Sequence, residues 1–175
     1  ALLKHLGSSY VLEANYSEAL IHYNDALTMA EAISLYNEIA NINNNIGVIY
    51  NDIGNIKSAY LHFVEALQYY DMGGMEGNKI GTLNNIGLIY VHLNNFEKAL
   101  SFFEQALDER VHPIDTILIT SVLNNSAICY ISEEQPERAL DYLKRAVQLS
   151  EKVNNQYGLC ISNQLIGEIY LNIGK

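Results

Sequence analysis

A five-residue phrase returns every forty residues along this chain: Leu6-Gly7-Ser8-Ser9-Tyr10, Ile46-Gly47-Val48-Ile49-Tyr50, Ile86-Gly87-Leu88-Ile89-Tyr90, Ser126-Ala127-Ile128-Cys129-Tyr130 and Ile166-Gly167-Glu168-Ile169-Tyr170. The small residue falls at 7, 47, 87, 127 and 167, and the tyrosine at 10, 50, 90, 130 and 170. A fixed period of this length marks a stacked array, in which each unit buries its apolar face against its neighbours. Such an array offers surface for holding another molecule and rarely carries chemistry of its own.

Two helical patterns fit into each period. In the second unit Ile42, Ile46, Ile49, Tyr50 and Ile53 form one apolar stripe at helical spacing. Gly54-Asn55 punctuates the chain, and a second stripe follows in Ile56, Ala59, Tyr60, Phe63, Ala66, Leu67 and Tyr70. The same pairing recurs around Asn94-Asn95 and around Gln135-Pro136, where proline suits a first helical turn. Breakers between units lie in Asp71-Met72-Gly73-Gly74-Met75-Glu76-Gly77, Val111-His112-Pro113 and Val153-Asn154-Asn155; the connector from Ala30 to Asn37 has neither glycine nor proline. Helices are predicted over 2–13, 16–31, 35–53, 56–71, 75–93, 96–110, 115–132, 136–151 and 156–173.

The second helices repeat as faithfully. Ala19, Ala59, Ala99 and Ala139 stand forty apart, as do Ala26, Ala66, Ala106 and Ala146, with Tyr23, Phe63, Phe103 and Leu143 between them. Small residues let two helix axes approach, and the large side chain fills the space beside them. Gly7, Gly47, Gly87 and Gly167 would each cost up to ~1 kcal/mol inside a helix. Close helix contact at those points explains their recurrence. Tyr69-Tyr70 fits interhelical packing better than an aromatic binding site.

This order of small residue, tyrosine, alanine, aromatic, alanine resembles the tetratricopeptide repeat, over four units and the opening helix of a fifth. Two features depart from the commonest form: the period is 40, and the proline that usually closes the motif is absent. The Asn-rich version, as in Leu83-Asn84-Asn85-Ile86-Gly87-Leu88-Ile89-Tyr90, is similar to repeats of cargo and polarity adaptors, and more so to those of bacterial sensor kinases and transcriptional regulators. The resemblance implies an all-α, right-handed superhelical solenoid of antiparallel helix pairs whose first helices line a concave groove. The units would be 1–34, 35–74, 75–114, 115–154 and a partial 155–175, together one array that reads as a piece of a longer protein.

On the groove face, Asn44, Asn84, Asn124 and Gln164 form one column, with His5, Asn45, Asn85 and Asn125 beside it. Val48, Leu88 and Ile128 follow, then Val11, Asn51, Val91, Ile131 and Leu171. Amides can donate to and accept from a peptide main chain, while an aliphatic strip takes apolar side chains. The candidate groove is therefore Asn44, Asn45, Val48, Asn84, Asn85, Leu88, Val91, Asn124, Asn125 and Ile128. The same asparagines could instead bond only to neighbouring helices. Relatives that grip a C-terminal carboxylate use Lys and Arg in these columns, where this chain has only Lys4.

Ten basic against 20 acidic residues, a net charge of −10, disfavour nucleic acid, whose binding rests on phosphate neutralisation. That balance steers neutral or basic ligands in preference to acidic ones. No apolar run approaches the ~18 residues of a membrane span. Cys129 and Cys160 lie ~13 Å apart by register, too far for a bridge, and both are expected in the core. The five histidines are dispersed without HExxH, there is no CxxC, and Gly73–Lys79 lacks phosphate-loop spacing. No cofactor, metal or catalytic constellation is expected. The glycosylation-like Asn15-Tyr16-Ser17 and Asn124-Asn125-Ser126 are weak patterns.

These observations favour a non-enzymatic scaffold that binds a protein or extended peptide as part of a larger signalling protein. A cytoplasmic location follows, or a periplasmic one if the array belongs to a membrane sensor. The alternative is structural assembly: Ile166, Ile169 and Tyr170 of the partial unit are expected to be uncovered and to support homo-oligomerisation.

Overall fold

The computed structural model describes residues 2–74, 78–108 and 116–172. Among them the regular structure is helical, in nine helices: α1 Leu2–Leu12, α2 Tyr16–Ala32, α3 Tyr36–Asp52, α4 Ile56–Met72, α5 Lys79–His92, α6 Phe96–Ala106, α7 Thr116–Ser132, α8 Pro136–Lys152 and α9 Gln156–Asn172. Most boundaries fall within one residue of expectation. Two do not: α5 starts at Lys79 rather than 75, and α6 stops at Ala106, where Leu107 caps it, rather than at 110. The expected breakers Met75-Glu76-Gly77 and Val111-His112-Pro113 lie outside the described residues.

The chain divides into two compact units, Ala1–Thr82 and Leu83–Lys175. In the first, α1 packs on α2, α2 on α3, and α3 on α4. In the second, α6 packs on α7, α7 on α8, and α9 on both α7 and α8.

The turns explain why each helix ends where it does. The second residue after the end of α1, α2, α3, α4, α5, α7 and α8 takes a left-handed conformation: Ala14, Ser34, Gly54, Gly74, Asn94, Glu134 and Asn154. Only two of these seven are the glycines that such a backbone prefers. The side chains of Asn15, Asn55 and Asn95 then accept from the backbone N–H of Glu18, Ser58 and Lys98, closing the next helix's first turn. At α3 the cap position is Leu35, which offers no side-chain bond.

The small–large pairing sets the helix spacing. A Cβ added to Gly47 would fall 2.6 Å from Cε1 of Phe63. Gly87 sits as tightly against the Phe103 ring, and Gly7 would reach the Tyr23 ring at 3.1 Å. Ala127 and Leu143 hold the same two positions in the next repeat, both fully buried; a branched aliphatic side chain there replaces the ring and leaves room for a methyl. Gly167 departs from expectation. Nothing lies within 4 Å of its would-be Cβ, since no described helix follows α9.

The repeated tyrosines stack on the second helices. Tyr10 lies on His22, Tyr50 on His62 and Tyr90 on Phe102, with centroids 5.3, 5.4 and 5.5 Å apart and near-parallel planes. Lys98 sits over the Tyr90 ring and Arg138 over the Tyr130 ring, a cation–π arrangement on the partly exposed side.

Candidate functional site

The candidate asparagines lie on α3 in the first unit and on α5 and α7 in the second. In the first, the Oγ1 of Thr82 donates to the Oδ1 of Asn44 across 2.9 Å. Asn45 and Val48 are part-buried on the same helix. Neighbouring asparagines serve the core: Tyr70 Oη donates to Asn41 Oδ1 at 2.7 Å, and Asn43 Nδ2 donates to the Ile39 carbonyl. Asn43 Oδ1 lies 2.8 Å from His62 Nδ1, which must then be the donor. Burial lowers the His62 pKa, and the Glu65 charge opposes that shift.

In the second unit the Oγ of Ser162 donates to Asn124 Oδ1 across 2.8 Å, and Asn125 Nδ2 donates to Asn84 Oδ1 at the same distance. Asn84 and Asn124 are buried, while Asn85, Asn125, Leu88, Val91 and Ile128 are part-buried. Residues 82, 122 and 162 share one register position and read Thr, Val and Ser. The two hydroxyls each serve the asparagine thirty-eight residues earlier. Val122 has no hydroxyl to offer Asn84, and the Asn125 amide takes that role instead.

Asn44, Asn84 and Asn124 thus have their oxygens committed within their own units. At Asn84 and Asn124 the amide nitrogen is the end left to meet a ligand; at Asn125, whose nitrogen is committed, it is the oxygen. An amide held this way has little rotational freedom to lose on binding, which favours affinity. Gln164, in the same column, is exposed and donates to Glu168 on its own helix. Lys4, in Asn44's column of the first repeat, pairs with Glu38 at 2.6 Å. Sequence reading found the asparagines but missed Thr82 and Ser162, whose signal was a hydroxyl in alternate repeats at the otherwise aliphatic position two residues before the ladder.

Two expectations for α9 and the cysteines need correction. Ile169 is buried at 2% exposure, because α9 packs on α7 and α8; Tyr170 and Leu171 are the exposed apolar side chains there. Cys160 is exposed, not in the core. Its register-mates Ala40, Ile80 and Thr120 are all buried. Cys129 is buried as expected, and burial pushes its thiol up to about 12.

Among the described residues no group of three or more His, Cys, Asp or Glu is placed to hold a metal ion, and no helix is long and apolar enough to cross a membrane.

Models of the tetratricopeptide repeat match residues 38–108 and 120–153. No curated protein matches the chain in sequence. Among solved structures it is similar to aspartyl phosphate phosphatase F from Bacillus subtilis, with TM-score 0.82 and 20% identity over 98% of this chain and 45% of that one. BtubC (BKLC) from P. vanneervenii gives 0.76 and 21% over 87% of this chain and 63% of the other. A Podosopora anserina protein described as a kinesin light chain, with nearly identical TPR-like repeats, gives 0.75 and 12% over 98% and 85%. The chain therefore spans less than two thirds of the first two. At these identities the likeness speaks for the fold, which is the expected all-α helical-repeat solenoid class.

Proposed function

The chain belongs to the tetratricopeptide repeat family, and from that premise we propose a non-enzymatic module that holds an extended protein segment against its first helices. The family fold is that of a protein-interaction scaffold. On this reading Asn44 and Asn45 in the first unit, and Asn84, Asn85, Asn124 and Asn125 in the second, bond the main chain of the ligand. Val48, Leu88, Val91 and Ile128 take its apolar side chains. The observation that carries the reading is the committed orientation of the amides, which presents donor and acceptor ends in fixed directions. The acidic balance of −10 favours a neutral or basic segment. A cytoplasmic place in a larger signalling protein fits this reading.

The test is selection of binding peptides by display against the chain, followed by Asn85→Ala and Asn125→Ala. Each should weaken binding by roughly 0.5–1.5 kcal/mol. Normal binding by both variants, with loss on substituting Lys98 or Arg138 of the outer helices, would move the partner to the other face.

A second reading, assembly through α9, rests on Gly167. Its open surface and the exposed Tyr170 and Leu171 form a seat that in earlier repeats a second helix occupies. Sedimentation that stays monomeric at high concentration, and does not change on Leu171→Lys, would remove it.

A further inference from the structure

The first unit contains a pocket of 420 Å³ walled by Ala26, Met29, Ala30, Ile33, Leu35 and Ile42, with the Lys4–Glu38 ion pair as its polar feature. Its origin is legible in the repeat register. Position 30 corresponds to Tyr70, forty residues on, whose buried ring packs with Ala66 and Tyr69. Those two are the register-mates of Ala26 and Met29, which wall the pocket. In the second unit the same position is Ser150, fully buried, and the space closes because Gly158 of α9 comes against its hydroxyl. One repeat fills the site with a ring and another collapses it. With Ala30 it stays open.

The rim shows the same departure from the folding pattern. Ile33 and Leu35 are exposed, and Leu35 caps α3 without a side-chain bond, where its register-mate Asn155 accepts from the Gly158 N–H. Local choices that work against folding concentrate where a surface is used for something else.

We propose that this pocket takes an aromatic side chain, phenol or phenyl, from the extended ligand; the inference rests on the groove reading above and adds to it a specificity site. The fit follows from Tyr70, an aromatic ring seated against the same wall positions one repeat later. The Lys4–Glu38 pair offers a partner for a phenolic hydroxyl, as Asn41 does for Tyr70. The pocket is lined by Glu38, which shares a face of α3 with Asn45 two turns on, and by Lys4, in Asn44's column one repeat earlier, so a main chain bonded to Asn45 and continued along that column reaches its mouth.

The experiment titrates the chain with p-cresol, the side chain of tyrosine, and reads amide shifts by NMR. Saturable shifts are expected at Ala26, Ala30, Ile33 and Ile42. In Ala30→Tyr, which supplies the missing ring, they should vanish, and in Ala30→Leu, a smaller filler that spares the fold if the ring does not fit, affinity should fall ~10-fold or more. Shifts that are absent, scattered over the surface, or unchanged in both variants would overturn the proposal. Display selection separates it from the groove reading. Peptides that need Asn45 but carry no aromatic residue, or bind Ala30→Tyr as well as wild type, sink the pocket and leave the groove. Saturable p-cresol binding, with no selected peptide that depends on Asn45, sinks the groove and leaves an aromatic pocket without the proposed ligand.

Discussion

The hydroxyl of Ser162 on α9 and the amide oxygen of Asn124 on α7 lie 2.8 Å apart, and both residues are buried. The same Ser162 oxygen also donates to the Gly158 carbonyl in its own helix. A hydroxyl carries one proton, so the two acceptors share it, and the bond to Asn124 is the one that links helices.

Replacing Ser162 with alanine removes the hydroxyl that donates to the Asn124 oxygen. Leaving a buried acceptor unpaired costs about 1–3 kcal/mol. The urea midpoint of Ser162→Ala should fall accordingly. An unchanged midpoint would mean that water reaches Asn124 and that the ladder is looser than its geometry indicates.

A contrary sign is expected at Ser150. Its hydroxyl is fully buried and has no hydrogen-bond partner. Ser150→Ala removes that unpaired group, so it should leave stability unchanged or raise it by up to ~1 kcal/mol. A loss of stability would reveal a partner for the hydroxyl.

The His62 ring makes stability depend on pH. Its folded pKa lies below the ordinary 6.5, burial being the cause. The unfolded chain therefore takes up the proton first as pH falls. Stability from this group is complete above the ordinary pKa and declines as pH drops through it toward the lower folded value. His62→Phe copies Phe102, its register-mate, and should flatten that part of the slope while lowering stability throughout, because Asn43 loses its donor. Urea midpoints of both proteins from about pH 7.5 to pH 5 check this, and a constant gap between them would contradict it.

How much of this was readable beforehand divides along a physical line. Features repeated in register were legible: the Gly–aromatic contact, the flanking alanines and the positions of the turns, since each copy tests the others. Features set by what a neighbouring helix lacks were not. The direction of the Asn84 amide depends on Val122 having no hydroxyl, and the open pocket on Ala30 having no ring. His22 shows the same effect. Its Nδ1 is buried without a partner, because Leu3 stands where Asn43 serves His62. Ile169 was misread because an apolar stripe has two sides, and its own faces the preceding helices rather than a following one.

The two thiols should differ sharply in reactivity. Thiolate is the reactive form, and Cys129 is buried with its pKa raised to about 12 while Cys160 is exposed. A thiol reagent should label Cys160 in the native protein and Cys129 only in denaturant. Labelling of both at equal rates under native conditions would show that α7 opens readily.

Two glycines at the same register position should answer the same substitution with opposite signs. Glycine inside a helix is about 1 kcal/mol less favourable than alanine, so Gly167→Ala, with nothing within 4 Å of the new methyl, should raise the melting temperature. At Gly87 the methyl would press into the Phe103 ring. Overpacking there costs about 1–3 kcal/mol, which exceeds the propensity gain, and the melting temperature should fall; Gly87→Leu should lower it further. The chain itself supplies the remedy, since Ala127 is paired with Leu143 where glycine is paired with phenylalanine. The double change Gly87→Ala with Phe103→Leu should therefore be less damaging than the sum of its two single changes, by a coupling on the order of 1 kcal/mol. Strict additivity in that cycle would mean that the small residue and the ring are not in contact, and the tight seam between first and second helices would have to be placed elsewhere.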